Sequence, residues 1–428
     1  MFGRLVIMSG DRLACRFCCL GIILVAGIGL VRAQEVVPRR AFPAHAAYPG
    51  AAVRVHGFTQ QQQDADVQAA YDDWKKNYLV TIDTSPGQYR VAFGKKGGQH
   101  AKTVSEGQGY GMVITALMAG YDAQAQAVFD GLWAFVRAHP SGVEPRLMAW
   151  QVPTSRGDKA DSAFDGDADI AYALLLADKQ WGSDGKVNYQ MKAREVIAGI
   201  KAATIGRNSH LPLLGDWVAG SDKYNQWQTR SSDFMYGHFR AYGRATGDKS
   251  WLIVIAATQG AATKLQSNNA PATGLLPDFV IAKTNTPYDP QPAGPKFLEG
   301  KNDGCYGYNA CRAPLRIGTD ALLNNDVVSL AQARKLSTWI EQAAAGDPRK
   351  IRAGYQLDGA ALAGGDYFST AFVAPCGVAA MTNASQQQWL DGIYNAVRGA
   401  RQDYYEDSIN LICLLVMTGN FWEPTAER

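Results

Sequence analysis

Apolar residues recur at three- and four-residue steps along most of the chain, and this helical periodicity limits the fold more than any other feature. Strand-like alternation is brief and scattered, and no βαβ rhythm is present. About twelve helices are therefore predicted, near residues 67–79, 109–120, 128–136, 168–180, 189–204, 234–246, 251–266, 315–323, 327–344, 368–381, 385–399 and 407–418. We expect an all-α fold of paired helical hairpins closed into a ring, with loops at one end forming a cleft.

The chain divides into three stretches of unequal character. Its 428 residues would favour two domains on length alone, but no long linker or composition shift interrupts residues 60–428. Residues 34–59 contain Pro38, Pro43 and Pro49 without a periodic pattern, which indicates an arm lying over the body. We expect a leader at 1–33, an arm at 34–59 and one domain at 60–428.

The leader has the order of parts found in a cleaved secretory signal. Arg4, Arg12 and Arg16 precede the apolar stretch Leu20–Val31, which ends at Arg32-Ala33. An uncleaved membrane anchor is the alternative, although the stretch is shorter than the roughly 20 residues that a spanning helix needs. We expect a secreted or periplasmic bacterial protein with no membrane association after cleavage.

The net charge bears on the partners. Cleavage removes four arginines and one aspartate, which takes the net charge from +3 to about zero. Binding to nucleic acid requires a strongly basic face, so nucleic acid is not expected as a partner. We also expect the protein to be a monomer.

Four cysteines remain after cleavage: Cys305, Cys311, Cys376 and Cys413. They are too few to be the main source of stability. Either Cys305 pairs with Cys311 across a short loop, or both are free buried thiols.

The segment Ser105–Met112 places Glu106 among three glycines that would allow a tight turn before an apolar helix. Its glycine spacing fails the dinucleotide pattern, because position 112 is Met. A general acid must stay protonated near neutral pH, so burial and a second carboxylate would have to raise the pKa of Glu106. The plainer alternative is a helix cap.

The segment Asp165–Ala171 supplies further carboxylates at the start of another apolar helix. It fails the calcium-loop pattern, because Ile170 and Leu176 occupy the glycine and glutamate positions. The six histidines show no paired ligand spacing, so no metal or other cofactor is expected. Two carboxylates delivered from helix ends, with aromatic residues around them, suit the acid-catalysed cleavage of a glycosidic bond.

Five segments in order resemble glycoside hydrolase family 8. They are Ser105–Met112, Leu147–Trp150, Asp165–Ala171 with Trp181-Gly182, Tyr308–Arg316, and Tyr404–Ser408 with Gly419–Trp422. The resemblance covers most of residues 65–422. It implies an (α/α)6 barrel with a substrate cleft across one end, which hydrolyses β-1,4-linked glycans with inversion.

The resemblance also assigns roles to individual residues. Glu106 is similar to the proton donor of the family and Asp165 to the acid that holds the sugar ring. Trp150 would stack on a sugar, unless it is plain core, and Arg312 matches an arginine near the catalytic base. Further candidates for substrate binding are Tyr110 and Tyr405, with Tyr404, Trp217 and Trp227 as other aromatic residues of the cleft.

The chain departs from the familiar cellulases of the family at Asn309, where they have an aspartate base. An amide cannot take a proton from water. In the branch of the family that has asparagine here, a loop glutamate is thought to act instead. Glu299, in the proline- and glycine-bearing segment 285–304, is our expected base; its rivals are three other acids, Asp278, Asp289 and Asp303.

Asp233 stands where many cellulases of the family have tyrosine, so it would bind a hydroxyl or an amino group, or cap the next helix. Together these residues predict an endo-acting hydrolase of internal β-1,4 bonds in a glucan, with a polysaccharide, β-glucan or chitosan, as substrate. A chitosanase or mixed-linkage β-1,3-1,4-glucanase on the same scaffold is the alternative. A second alternative is a glycan-binding protein that retains the cleft without catalysis.

Overall fold

The structure is a computed structural model that describes residues 37–95, 100–155 and 159–425. The predicted signal at 1–33 lies outside these residues. Each of the predicted helices is present within them. The helices are α1 (Gln60–Tyr78), α2 (Ser105–Leu117), α3 (Ala125–Ala138), α4 (Phe164–Trp181), α5 (Tyr189–Ala203), α6 (Tyr236–Thr246), α7 (Trp251–Asn268), α8 (Ala313–Asn324), α9 (Val327–Ala343), α10 (Thr370–Ala380), α11 (Gln387–Val397) and α12 (Tyr404–Met417).

The helices pack in a regular order. Each even-numbered helix contacts the next even-numbered one, from α2 through α12, and α12 also contacts α2. Helices α3, α5, α7, α9 and α11 each pack on the helix that precedes them, and α1 packs on α12. Buried side chains occupy nearly all positions of α2, α4 and α10, as expected of helices surrounded by others. The molecule is therefore rich in helices, with mostly apolar ones inside and amphipathic ones around them.

Helices α2 and α4 approach each other very closely at two glycines. A Cβ at Gly109 would lie 2.8 Å from the Cβ of Asp169, and a Cβ at Gly166 would lie 2.5 Å from the carbonyl carbon of Ser105. The glycines of the Ser105–Met112 segment therefore belong to a helix that begins at Ser105, and the predicted tight turn is wrong. Their small size, rather than their backbone freedom, is what the packing uses.

Short strands lie in the segments that connect the helices. They are β1 (Leu79–Thr81), β2 (Tyr89–Val91), β3 (Thr103–Val104), β4 (Gln151–Val152), β5 (Thr229–Arg230), β6 (Phe279–Asn285) and β7 (Tyr288–Pro292). The pairs are antiparallel: β1 with β2, β3 with β4, and β6 with both β5 and β7. Strand β7 falls within a segment expected to be loop because of its prolines. It is an edge strand, where a residue without an N–H is tolerated.

The N-terminal arm crosses the C-terminal ends of the inner helices. Backbone N–H groups of Phe42, Ala46 and Gly50 donate to carbonyls at the ends of α2, α12 and α8 respectively. Thr59 then caps α1 with a reciprocal bond to Gln62. In the described part of the chain, no helix combines the length and apolar character needed to cross a membrane.

Candidate active site

A cavity of about 400 Å³ opens where the inner helices begin. Its walls come from the first turns of α2, α4 and α12 and from the segments that precede α6 and α8. The lining residues are Phe93, Val104, Ser105, Glu106, Trp150, Ala163, Asp165, Arg230, Glu299, Tyr308, Asn309, Tyr404, Tyr405 and Glu406. Acids and aromatic rings thus share one cleft, as the sequence predicts.

Glu106 occupies the first turn of α2 and points into the cleft. Its Oε1 accepts a hydrogen bond from the hydroxyl of Tyr404 at 2.7 Å, and its Oε2 accepts one from Nη1 of Arg312 at 2.6 Å. Burial raises the pKa of Glu106 to about 7; the charge of Asp165 adds to the rise, while Arg312 and Tyr404 oppose it. At neutral pH this carboxyl can therefore hold a proton that a reaction could use.

Asp165 occupies the equivalent first turn of α4. Its Oδ2 accepts a hydrogen bond from the same Nη1 of Arg312, at 2.7 Å, and its Oδ1 accepts one from the amide of Gly166. Burial works against the charge, but Arg312 and Arg230 outweigh it and lower the pKa of Asp165. The two carboxyls are thus driven apart in pKa, and Asp165 stays ionised beside a protonated Glu106.

Asn309 joins this pair to Glu299. Its Oδ1 accepts from Nη2 of Arg312 at 3.0 Å, and its Nδ2 donates to Oε2 of Glu299 at 2.8 Å. The other oxygen of Glu299 accepts from Nη2 of Arg230 at 3.3 Å. The side chain of Glu299 is 50% exposed, so solvent reaches its carboxylate. A continuous set of hydrogen bonds runs from Glu106 through Arg312 and Asn309 to Glu299.

The three rival acids are placed differently. Asp278 and Asp303 are buried, and each uses its carboxylate to accept three backbone N–H groups. Asp289 lies on β7, outside the cleft lining. Among the acids expected as base, Glu299 is the one that lines the cavity.

Aromatic rings cover much of the cleft wall. Trp150 is 38% exposed and lines the cavity, so the alternative of plain core is wrong for it. Its carbonyl accepts the amide of Ser105 where β3 and β4 pair, which holds the indole next to the start of α2. Tyr404 and Tyr405 also line the cleft, and the hydroxyl of Tyr405 donates to the carbonyl of Tyr308. Trp217 and Trp227 are not among its lining residues.

Two predicted substrate-binding residues lie beneath the cleft rather than in it. Tyr110 is fully buried, and its hydroxyl accepts from Nη1 of Arg312 at 3.3 Å. Asp233 is fully buried as well, and burial together with the charge of Asp165 raises its pKa to about 7. Neither side chain has exposed surface for a substrate to contact.

Arg230 is a site residue that sequence reasoning missed. It lines the cleft, contacts Glu299 and lies near Asp165, whose pKa its charge lowers. Its position in the sequence, three residues before the candidate Asp233, could have indicated it. Phe93 and Glu406 also line the cleft and were not predicted; Glu406 stands inside the Tyr404–Ser408 segment.

The remaining acids of the Asp165–Ala171 segment have structural roles. Asp167 is buried and accepts the amide of Met148, and Asp169 forms a buried ion pair with Arg316 and a hydrogen bond with His238. Within the described ranges, no cluster of three or more histidines, cysteines or acids is arranged to hold a metal ion. Cys305 and Cys311 are free thiols, so the expected pairing is absent; Cys311 is buried as the second alternative has it, whereas Cys305 is half-buried.

A helical body whose inner helices present a proton-bearing carboxyl, an ionised carboxyl and exposed aromatic rings in one cleft defines the class of helical glycosidases. The sequence profile of Glycosyl hydrolases family 8 matches residues 41–419, and the chain belongs to this family.

The chain is similar to known proteins over most of its length. The chain is 42% identical over 412 residues to a β-glucanase of Niallia circulans, covering 96% of this chain and 97% of that protein. It is 41% identical over 404 residues to an endoglucanase of Bacillus sp. strain KSM-330, covering 92% and 84%. The apo structure of a β-1,3-1,4-glucanase from Paenibacillus sp. X4 superposes with a TM-score of 0.85 at 41% identity, covering 90% of this chain and all of that one.

Proposed function

We propose that this protein is an endo-acting β-glucanase that hydrolyses its substrate by a single displacement with inversion. The observation that carries the proposal is the hydrogen-bonded set Glu106–Arg312–Asn309–Glu299, which brings a protonated and an accessible carboxyl to one cleft. Mixed-linkage β-1,3-1,4-glucan is the first candidate substrate, supported by the similarity to a β-glucanase and to a β-1,3-1,4-glucanase. A β-1,4-glucan is the second, supported by the similarity to endoglucanases.

In this proposal Glu106 is the general acid. Its pKa of about 7 keeps a proton available at neutral pH, and that proton passes to the glycosidic oxygen as the bond to the anomeric carbon breaks. Asp165, kept ionised by Arg312 and Arg230, stabilises the positive charge that develops on the sugar ring. The two neighbouring carboxyls thus take different roles because their surroundings differ.

Glu299 is the general base in place of the aspartate that Asn309 replaces. It removes a proton from a water molecule, whose oxygen bonds to the anomeric carbon on the face opposite the departing oxygen. An inverting enzyme needs its two carboxyls roughly 6.5–9.5 Å apart to leave room for that water. A base on the loop after β7, separated from Glu106 by Arg312 and Asn309, suits this requirement. We therefore place the chain in the branch of the family with asparagine at this position.

The packing of the helices supports a closed (α/α)6 barrel in this proposal. The even-numbered helices would form the inner ring, because α12 contacts both α10 and α2. The odd-numbered helices would form the outer ring. All the proposed catalytic residues would then lie at the end of the barrel where the inner helices begin.

The proposal is tested by assaying barley β-glucan, carboxymethylcellulose, xylan and chitosan with the wild type, Glu106→Gln and Glu299→Gln. Each substitution is isosteric and should lower kcat at least about a hundredfold with little change in the melting temperature. Asp289→Asn, a change on strand β7 outside the cleft, is the matched control and should leave the rate near wild type. The product anomer, followed by NMR, reports inversion.

Three outcomes would redirect the assignment. Full activity in Glu299→Gln would move the base to another residue. Preference for chitosan would favour the chitosanase alternative. Binding of oligosaccharides without release of reducing ends from any of the four polymers would favour a glycan-binding protein.

We also propose that the protein is exported, with cleavage after Ala33, and acts on its polysaccharide as a monomer. The basic, apolar and small-residue order of the leader supports export. N-terminal sequencing of protein from the culture medium and the periplasm would test the cleavage, and a sedimentation experiment the monomer. A protein retained in the membrane with residue 1 intact would contradict export.

A further inference from the structure

Asp303 lies four residues after Glu299. Its side chain is buried, and the residue is only 3% exposed. Its Oδ2 accepts the backbone N–H groups of Leu298 at 2.7 Å and Glu299 at 3.0 Å, and its Oδ1 accepts that of Gly300 at 2.7 Å. Three consecutive amides thus converge on one side chain, and the middle one belongs to Glu299 itself.

Asp303 is in turn fastened to the sheet. Its carbonyl accepts the amide of Phe279 at 2.9 Å, and the next pairing joins the amide of Asp278 to the carbonyl of Cys305 at 2.7 Å. Phe279 is the first residue of β6. Asp303 therefore connects the turn that carries Glu299, through its carboxylate, to a paired strand, through its backbone carbonyl.

Glu299 needs such a connection more than the other two carboxyls do. Glu106 and Asp165 stand on the first turns of packed helices, whereas Glu299 stands on a loop with a half-exposed side chain. Sites on loops are less well fixed than sites on helices or strands, and a misplacement of about 1 Å can cost roughly a hundredfold in rate.

We propose that Asp303 is the positioning residue of the catalytic base: by binding three consecutive amides it fixes the backbone from which Glu299 reaches the attacking water. This inference rests on the proposed function, in which Glu299 is the base. Asp303 itself touches neither substrate nor water in the reaction and acts only through Glu299.

The isosteric change Asp303→Asn tests the role. The single amide oxygen of asparagine can accept at most two of the three N–H groups, and its NH₂ group must face the third, so the turn has to shift. Because the base acts only as the water attacks, we expect kcat to fall about ten- to a hundredfold while KM stays within about threefold. Asp303→Ser, which keeps one oxygen and is smaller, should show the same division between kcat and KM.

A double-mutant cycle separates positioning from a general structural role. If Asp303 acts through Glu299, then Asp303→Asn should cause no further loss beyond about twofold in the Glu299→Gln background. A loss by the same factor in both backgrounds would overturn the proposal, because a merely structural effect multiplies with the loss of the base. Rates are corrected for the folded fraction from thermal unfolding, and Asp289→Asn serves as the control on the neighbouring strand.

The outcomes also separate this inference from the proposed function. If Glu299→Gln is inactive but both Asp303 variants keep kcat within about twofold of wild type, only the positioning role fails. If Glu299→Gln keeps full activity, Glu299 is not the base and both proposals fail. A rise in KM with unchanged kcat would place Asp303 in substrate binding and would overturn its positioning role.

Discussion

The hydroxyl of Tyr404 opposes the burial that raises the pKa of Glu106, and so affects the pH range in which Glu106 could act as the proposed acid. It donates to Oε1 of Glu106 at 2.7 Å and thereby favours the ionised carboxylate. The substitution Tyr404→Phe removes this donor and keeps the ring, which packs on Phe93 with centroids 4.7 Å apart. We expect the variant to fold normally and the pKa of Glu106 to rise from its present value of about 7.

The size of the rise follows from the hydrogen bond that is lost. A bond to a charged group contributes about 1.5–3 kcal/mol, and one pKa unit corresponds to about 1.4 kcal/mol, which would give about one to two units. The side chain of Glu106 is 17% exposed, so water in the opened space replaces part of the bond. We therefore expect a rise of about one unit.

The measurement is the pH dependence of kcat/KM on barley β-glucan. A general acid works in its protonated form, so activity is lost as pH rises through the pKa of Glu106, and a higher pKa moves the basic limb to higher pH. Tyr405→Phe is the matched control. Its hydroxyl donates to the carbonyl of Tyr308 rather than to Glu106, so its basic limb should stay at the wild-type position.

A basic limb that stays in place in Tyr404→Phe, or moves to lower pH, would refute this reasoning. Equal movement in Tyr404→Phe and Tyr405→Phe would show that the limb responds to the general polarity of the cleft rather than to one hydrogen bond. Loss of the limb altogether would mean that another step limits the rate at high pH.

Two further predictions concern stability. Although burial opposes its charge, Arg316 and His238 lower the pKa of Asp169 to about 2. The ion pair therefore stabilises the fold above pH about 4, and this contribution is lost as the pH falls towards 2. Acid unfolding should show a loss of about 2 kcal/mol of stability in that range, and Asp169→Asn should abolish this pH dependence. Gly109→Ala would force α2 away from α4 and should lower the free energy of unfolding, measured in urea, by about 1–3 kcal/mol. The control is Gly260→Ala, on an exposed face of α7 with open space around it, which should be neutral or stabilising by up to about 1 kcal/mol. Equal effects of the two substitutions would refute the close-packing argument.

The helices were the most predictable part of the fold. Their apolar periodicity is a local property of the sequence, because each helix buries one face and the apolar residues lie on that face. The starts were less predictable: α2, α4 and α12 begin three or four residues earlier than expected, at Ser105, Phe164 and Tyr404. Glycines in the first turns of α2 and α4 have poor helix propensity, and tertiary packing overrides it.

That displacement of the helix starts matters for the site. Glu106, Asp165 and Tyr404 all stand in first turns that periodicity alone would leave as loop. The N-terminus of a helix stabilises a carboxylate, so these positions hold acids at a lower cost than the surrounding apolar packing would suggest. The sequence could indicate which acids matter, but not that α2 and α4 bring two of them onto one arginine.

The loop that carries Glu299 was predictable only in outline. Prolines indicated an irregular segment, but they could not indicate that β7 pairs with β6 or that Asp303 binds the amides of Leu298, Glu299 and Gly300. Likewise, the hydrogen bond from Arg312 to the buried Tyr110 joins residues far apart in the chain. Such contacts leave no periodic signal in the sequence.

The asparagine at position 309 suits a base at Glu299 better than an aspartate would, and this gives a last prediction. The Nδ2 of Asn309 donates to Glu299 at 2.8 Å while its Oδ1 accepts from Arg312. In Asn309→Asp, two carboxylates would face each other at that distance, and they would share a proton. Restoring the acid that familiar cellulases have should therefore lower kcat, by at least about tenfold, rather than raise it.

The pH profile distinguishes repulsion from simple loss of a hydrogen bond. In Asn309→Asp the acidic limb of kcat/KM should move to higher pH, because the shared proton must leave before either carboxylate can act as base. Asn309→Ala removes the donor without adding a charge, so its rate should fall without that movement. Activity at or above wild type in Asn309→Asp would show that position 309 can supply the base by itself, and the dependence on Glu299 would then be wrong.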